Sequence, residues 1–154
     1  MEYLVAKWLH VLSSTLLFGT GLGSAYYMFF ASRTRDPRAV APVVRLVVRA
    51  DGWFTTTTIV FQPLSGLYMM HLVGLPLSTP WIAWSFALYF LAGACWLPAV
   101  WMQIRMRELA ERAVREGTPL PALYFRYFRY WTMLGFPAFF ALVAVFWLMV
   151  AKPA

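Results

Sequence analysis

Residues 131–151 read WTMLGFPAFFALVAVFWLMVA and contain no charged side chain. An α-helix rises about 1.5 Å per residue, so about 20 residues cross a hydrocarbon core of about 30 Å. Three further apolar segments of sufficient length precede this one, at about residues 3–30, 52–73 and 81–104. The pattern predicts an all-α, four-helix transmembrane bundle that uses residues 1–154 as a single integral membrane domain.

The composition agrees with this prediction and excludes most soluble enzymes. Apolar residues make up 62% of the 154 residues and charged residues only 12%, which leaves too little polar surface for a soluble domain. The sequence has no paired carboxylates, serine or cysteine triad, phosphate loop or zinc signature, so hydrolytic and phosphoryl-transfer sites are not predicted. Cys95 is the only cysteine, so an intrachain disulfide is excluded.

The positive charge predicts an orientation in the membrane. The net charge is +7, and arginines concentrate in the segments between spans one and two and between spans three and four, whereas residues 74–80 have none. The positive-inside rule then places both arginine-rich segments in the cytoplasm and both termini outside. We expect these arginines to contact lipid headgroups rather than nucleic acid.

Two helices are expected to extend beyond the membrane on the cytoplasmic side. Asp36-Pro37 is typical of a helix start, and valines at helical spacing follow it, as an interfacial helix or as an extension of span two. Span three continues with helical periodicity until Gly117, a residue type that commonly ends helices. Within the spans, Pro63 and two further prolines predict bends, and Gln62 and the threonines at 55–58 are expected to satisfy the carbonyls that proline frees.

The two histidines are the candidate site. His10 lies about seven residues, or roughly 10 Å, below Tyr3, and His71 lies about 5 Å short of Gly74 on the antiparallel second span. Ionisable groups inside a membrane are costly, so two at one level indicate a site, although each taken singly is also consistent with a structural residue. Imidazole is a favoured ligand of haem iron, copper and zinc.

These features favour a b-type haem over a bare metal ion, because the outer half of the bundle lacks a carboxylate or cysteine to complete four ligands. His10 and His71 would be the axial ligands. Lys7, one turn from His10 on the same face, is a candidate partner for a haem propionate. Candidates for the pocket wall or the interfacial aromatic belt are Tyr68, Trp8, Trp81 and Trp84. Met69 and Met70, next to His71, leave copper handling as an alternative.

The sequence also resembles a known family. Lys7-Trp8-Leu9-His10 and Gln62-Pro63-Leu64-Ser65-Gly66 resemble an uncharacterised bacterial family of predicted four-span inner-membrane proteins. That family is distantly similar to the membrane-bound protoporphyrinogen oxidase and to copper-resistance D proteins. The resemblance implies b-type haem binding with His10 as an axial ligand. The oxidase is expected to carry a lysine early in span three, where this chain has residues 81–85, WIAWS, and this departure weighs against oxidase activity.

We therefore expect a haem-binding membrane protein that transfers electrons near the outer leaflet. Electron transfer is expected rather than oxygen chemistry, because two axial histidine ligands would leave no open position on the iron. Expected partners are the lipid bilayer and a quinol or a larger membrane complex. A homo-oligomer is also consistent with the sequence, and nucleic acid is not expected. The alternatives are a non-catalytic accessory subunit, copper or small-solute handling, and an oxidase-like enzyme.

Overall fold

The computed structural model describes residues 1–153, and its regular structure is helical. The helices are α1 (Glu2–Thr34), α2 (Pro37–Ala50), α3 (Thr56–Val73), α4 (Pro80–Glu116) and α5 (Ala122–Ala151). A single π-helical turn, Asp51–Thr55, joins α2 to α3 with helical backbone angles on both sides. The predicted all-α class is confirmed over this part of the chain.

α2 begins as the sequence predicts. The Asp36 carboxylate accepts a hydrogen bond from the Arg38 backbone N–H at 2.9 Å, and Pro37 occupies the first turn, where its missing N–H costs nothing. Because helical backbone then continues through Asp51–Thr55, α2 is an extension of the second predicted span and not a separate helix.

Glycine ends both α3 and α4. Gly74 and Gly117 have φ of 67° and 64°, a left-handed conformation that a Cβ disfavours. The next residue after each glycine donates its N–H back into the helix, over 3.1 Å from Leu75 to the Met70 carbonyl and 3.0 Å from Thr118 to the Ala113 carbonyl. This pattern satisfies carbonyls at the helix end, and it confirms the predicted end of α4 at Gly117.

The fully buried core lies at one end of the bundle, around α2. The buried residues Val40, Val44 and Val47 face inward, while Arg38, Arg45 and Arg49 are exposed. The valines belong to one buried cluster with residues of α1, α4 and α5, which include Met28, Met106, Ala110 and Tyr124. We call this region the α2 end.

Polar contacts at the α2 end link helices that are distant in sequence. The hydroxyl groups of Ser32 on α1 and Tyr124 on α5 lie 2.7 Å apart, and both residues are buried. Arg45 on α2 forms an ion pair with Glu111 on α4 at 2.8 Å, at a partly exposed position. The α5 helix already begins at Ala122, well before residue 131, and it thereby includes the segment of alternating rings and arginines that contributes Tyr124.

Towards the other end, the helices separate into two pairs. α1 packs along α3 and α4 packs along α5, whereas α1 and α5 touch only sparsely. Apolar cavities lie between the two pairs. The helices are therefore closely packed at the α2 end, and a cleft between the two pairs opens towards residues 74–79.

The carbonyl freed by Pro63 is satisfied differently from the sequence-based expectation. Pro63 cannot donate to the Ile59 carbonyl four residues earlier, and the Tyr89 hydroxyl on α4 donates to that oxygen at 2.6 Å. Gln62 instead donates to the His10 carbonyl at 3.1 Å, and the hydroxyls of threonines 56–58 bond to carbonyls of residues 51–55. The expected role of Gln62 and the threonines in repairing the proline bend is thus wrong, and Tyr89 fills it across the cleft.

Two helices, α4 and α5, are long and apolar enough to cross a membrane. The most apolar segments of α1 and α3 are less apolar than those of α4 and α5. They carry more polar side chains, and several of these are buried between helices, including Ser13, Thr58, Gln62 and Ser65.

Replacing Tyr124 with phenylalanine tests the cohesion of the α2 end. The variant leaves the buried Ser32 hydroxyl without its partner, which costs about 1–3 kcal/mol. We expect the Tm of the detergent-solubilised protein to fall by several degrees in Tyr124→Phe. The matched control is Tyr130→Phe, since Tyr130 is 49% exposed. Equal melting temperatures for the two variants would contradict a structural role for the Ser32–Tyr124 bond.

Candidate functional site

The candidate site is a cavity of about 540 Å³ that contains His10 and receives residues from α1, α3, α4 and α5. We call it the histidine cavity. Its volume lies within the range of about 300–1,000 Å³ that small-molecule sites occupy. Its walls are mainly apolar and aromatic, and its polar side chains include Lys7, His10, Ser85 and Lys152.

The His10 ring is held by Ser65 on α3. The His10 Nδ1 atom and the Ser65 Oγ atom lie 2.7 Å apart. The single Ser65 hydroxyl proton is directed to the Phe61 carbonyl at 2.8 Å or to the Gln62 carbonyl at 3.1 Å. With its proton on one of these carbonyls, Ser65 accepts a hydrogen bond from His10, and in that arrangement the imidazole proton lies on Nδ1 and the Nε2 lone pair is free.

This tautomer is the one that a metal ligand requires. Metal-binding histidines usually donate their second ring N–H to a fixed oxygen, which orients the ring and raises its basicity. Ser65 supplies that oxygen, and Nε2 makes no hydrogen bond within residues 1–153. Gln62 adds a hydrogen bond to the His10 backbone carbonyl, so two neighbouring polar residues of α3 hold this turn of α1.

Two lysines lie at the cavity wall near the ends of their helices. Lys7 precedes His10 by one turn on α1, and both residues line the histidine cavity. Lys152 follows α5, and its Nζ atom lies 5.8 Å from the centre of the Trp81 ring. The sequence analysis missed Lys152, although the predicted topology puts the C-terminus at the same membrane face as Lys7.

The structure does not bring His71 to His10. His71 is exposed and does not line the histidine cavity. It follows Gln62 by nine residues, or two and a half helical turns, and therefore lies on the opposite side of α3 from the buried Gln62. Leu64, Leu67 and Tyr68, which share the His71 face, are exposed as well. The predicted pair of axial histidines is therefore wrong in its geometry.

The aromatic candidates for the pocket wall divide in the same way. Trp81 lines the cavity, whereas Trp8 and Trp84 are more than 60% exposed and point away from it. Tyr68 also lies outside the cavity, and its hydroxyl donates to the Glu2 carboxylate. Trp8, Trp84 and Tyr68 are therefore not positioned to contact a ligand in the histidine cavity, and their place in an interfacial belt stays a prediction.

Met69 and Met70 do line the histidine cavity. They are the thioether side chains of α3 on the His10 side. Among residues 1–153, no group of three or more His, Cys, Asp and Glu side chains forms a metal site. Any iron or copper at His10 would therefore depend on imidazole, thioether or non-protein ligands.

A second cavity adjoins the first towards the α2 end. It has a volume of about 520 Å³ and contains Asp51, so we call it the aspartate cavity. Both cavities are lined by Leu17, Phe18, Tyr89 and Leu142, and these four residues mark their common boundary. The sequence analysis did not single out Asp51.

Comparison with known proteins places the chain in a family. Residues 4–153 match the family described as "Predicted integral membrane protein (DUF2269)". No curated protein and no solved structure shows a significant match to the chain. The likeness to the protoporphyrinogen oxidase and to copper-resistance D proteins stays a prediction. Because the match covers nearly all of the sequence, the chain belongs to this family of predicted integral membrane proteins.

Proposed function

We propose that the protein binds one b-type haem in the histidine cavity, with His10 Nε2 as an axial ligand. The observation that carries this proposal is the hydrogen bond between His10 Nδ1 and Ser65. That bond orients the ring inside an apolar cavity between four helices, and with the proton on Nδ1 it leaves Nε2 free to ligate. Helical bundles commonly hold cofactors in this way.

The rest of the cavity fits an amphipathic ring with acidic side groups. Apolar and aromatic walls suit the macrocycle and exclude water from it. Lys7 and Lys152 lie where the chain ends meet, and their ammonium groups suit two carboxylates. The positions of the two lysines support an orientation of the haem in which its acidic side groups are directed towards residues 74–79.

The residues of the protein would hold and orient the haem. Haem supplies one-electron chemistry when it is bound. Ser65 would hold the imidazole in the ligating tautomer, and Lys7 and Lys152 would orient the acidic groups. Met69 and Met70 are available as a second ligand from the same cavity, and a histidine–methionine pair is typical of electron carriers. Electron transfer in the outer half of the membrane is therefore the activity that we propose.

The proposed membrane arrangement has four spans in a bacterial inner membrane. α1 and α3 would cross beside α4 and α5, with their buried polar residues turned towards the cavities and their exposed leucines towards lipid. The exposed arginines around α2 support a cytoplasmic location for the α2 end, and both termini would then lie outside.

Copper handling is a second candidate, because Met69 and Met70 share the cavity with His10. Thioether and imidazole together suit Cu(I). An oxidase-like enzyme is a third candidate, because Lys152 brings an ammonium group to Trp81 at the start of α4, the region where the resemblance implies a lysine. Stoichiometric copper without iron in the purified protein would select the copper candidate.

Absorption spectra of the purified protein test the haem proposal. We expect the dithionite-reduced wild-type protein to show the sharp alpha band of a b-type haem, and His10→Ala to lose it. His71→Ala is the matched control and should retain the band, because His71 lies on the far side of α3. A wild-type protein that neither carries haem nor takes it up on titration would contradict the proposal and would favour an accessory subunit.

The role of Ser65 is tested separately by Ser65→Ala. Loss of a hydrogen-bond partner behind a metal-binding histidine typically weakens binding by about 10–100-fold, and we expect this range for haem titration of the variant. Leu64→Ala is the matched control, since Leu64 precedes Ser65 on α3, is 59% exposed and does not line the histidine cavity. If both variants bind haem as the wild type does, Ser65 does not set the ligating tautomer.

Cysteine labelling tests the proposed topology. Cys95 is first replaced by alanine, and single cysteines are introduced as Ser78→Cys or Thr118→Cys, both at exposed positions in connections. A membrane-impermeant maleimide applied to spheroplasts should label position 78, and it should label position 118 only after the membrane is permeabilised. The opposite pattern, or equal labelling of both, would reject the orientation or the crossing of α4.

A further inference from the structure

The aspartate cavity opens sideways, between α1 and α5. Its lining residues on α3, on α4 and in the π-helical turn are all buried or half-buried. The lining residues that are exposed belong to α1 and α5, and they are Leu22, Tyr26, Phe30, Gly135, Phe136 and Phe140. Because residues that line a cavity and also reach the surface mark its opening, the cavity opens to the surroundings of the bundle along these two helices.

Two pairs of aromatic rings frame this opening. The ring centres of Phe29 on α1 and Phe128 on α5 lie 5.5 Å apart, as do those of Phe18 and Phe139. On each helix the two phenylalanines are eleven residues apart. This separation corresponds to about 16 Å, close to the thickness of one leaflet of a hydrocarbon core of about 30 Å. We call the opening between the two ring pairs the α1–α5 window.

Glycines keep the space behind the α1–α5 window open. Gly21, Gly93 and Gly135 line the aspartate cavity from three different helices. A Cβ atom at any of them would meet no atom of another helix within 4 Å, and none of the three has a left-handed backbone. Glycine is unfavourable inside a helix, and neither close packing nor backbone conformation requires it here. The three glycines therefore leave room for another molecule.

The edges of the α1–α5 window offer no free hydroxyl group. Ser24 and Thr132 line the cavity, and their hydroxyls donate to carbonyls of their own helices, at 3.3 Å to Gly21 and 2.8 Å to Phe128. The other side chains with which α1 and α5 line the cavity are apolar or aromatic. An apolar chain fits such a passage, because its entry leaves no polar group without a partner.

Positive charge flanks the ring pair at the α2 end. The Arg33 Cζ atom lies 5.8 Å from the centre of the Phe29 ring, and Arg129 follows Phe128 directly in the chain. Both arginines are exposed, and within residues 1–153 neither forms an ion pair with a carboxylate. Arginines at a membrane surface attract anionic headgroups. An apolar passage with cationic groups at one end has the polarity pattern of an anionic phospholipid.

We propose that the α1–α5 window binds an anionic phospholipid, with one acyl chain in the aspartate cavity and the phosphate near Arg33 and Arg129. The assignment rests on the four-span arrangement proposed above and not on haem. An acyl chain is favoured over a longer quinone tail, because the Phe18–Phe139 pair closes the window at about the depth where the chains of one leaflet end.

Photocrosslinking tests the proposal with haem-free, full-length protein in phosphatidylcholine nanodiscs, so a negative haem result does not affect it. The probe is a trace of phosphatidylglycerol with a diazirine in the middle of one acyl chain, and mass spectrometry locates its adducts. We expect adducts at Ala92 and Ala99 of α4. Both line the cavity behind the window and are only 6% and 8% exposed, so bulk lipid does not reach them.

Filling the cavity should remove these adducts. Gly21→Leu places a side chain where the acyl chain would lie, and we expect the yield at Ala92 and Ala99 to fall by at least about fivefold, because overpacking typically costs that factor or more. Gly19→Leu is the matched control. Gly19 is on the same helix, also has open space around its Cβ position, and lines neither cavity. Gly135→Leu repeats the test from α5.

The headgroup is tested with photoreactive phosphatidylglycerol and phosphatidylcholine that carry the same labelled chain. We expect phosphatidylglycerol to give at least about fivefold more adduct at Ala92 and Ala99, since each arginine near anionic lipid contributes about that factor. Arg33→Gln and Arg129→Gln should each reduce this preference. Arg115→Gln, at an exposed position near the end of α4, is the matched control and should leave it unchanged.

Equal adduct yields in Gly21→Leu and Gly19→Leu would overturn the proposal, as would adducts confined to exposed residues or equal yields from the two headgroups. Removal of the adducts by excess ubiquinone, or a lipid-free dimer in native mass spectra, would assign the window to another occupant and overturn it as well. A near-native Tm in each variant, measured in the same nanodiscs, shows that a lower yield does not result from unfolding.

Discussion

The packing of α2 against α1 and α4 holds the two helix pairs together. Val40, Val44 and Val47 supply the apolar surface, and Ser32–Tyr124 and Arg45–Glu111 add polar links across the same region. Elsewhere the two helix pairs make few contacts. One of them is the hydrogen bond that the Tyr89 hydroxyl donates to the Ile59 carbonyl. Since the cohesion is concentrated at one end, the remaining length of the bundle can stay open and hold both cavities. The space for the two cavities therefore depends on α2, a short amphipathic helix that contributes no residue to the histidine cavity.

Much of the fold could be predicted from local sequence chemistry. Asp36-Pro37 predicted a helix start and Gly117 a helix end, because capping depends on side chains a few residues apart. The early start of α5 was missed, because alternating rings and arginines are typical of a membrane interface whether the backbone is helical or not. The partner of the Ile59 carbonyl was also missed. The position of a proline shows which backbone carbonyl loses its hydrogen bond. The donor that replaces it, Tyr89, lies on another helix, and its distance from that carbonyl depends on how the α1–α3 pair packs against the α4–α5 pair.

The candidate site was predicted in part for a similar reason. Position along a helix follows from counting residues, and Lys7 and His10, which lie one turn apart on α1, both line the histidine cavity. Rotation about the helix axis does not follow from depth, and His71 proved to lie on the far side of α3. A signal was present in the sequence, since Thr58, Gln62 and Ser65 form a polar stripe at helical spacing, and His71 does not belong to it. That stripe would have identified Ser65 as the partner of His10. The burial of Asp51 was not predicted, because a carboxylate next to an arginine-rich segment is typically exposed to solvent.

The π-helical turn Asp51–Thr55 has a consequence for how the chain can change in length. A π turn accommodates one more residue than an α turn, and each residue rotates the helix that follows by about 100°. Removing one residue here would convert the turn to regular α-helix and swing α3 relative to α2, so that either the valine surface or the Gln62–Ser65 stripe would lose its partners. Single-residue deletions and insertions in this segment are therefore far more disruptive than most substitutions. Homologous chains should therefore preserve the number of residues between positions 51 and 55.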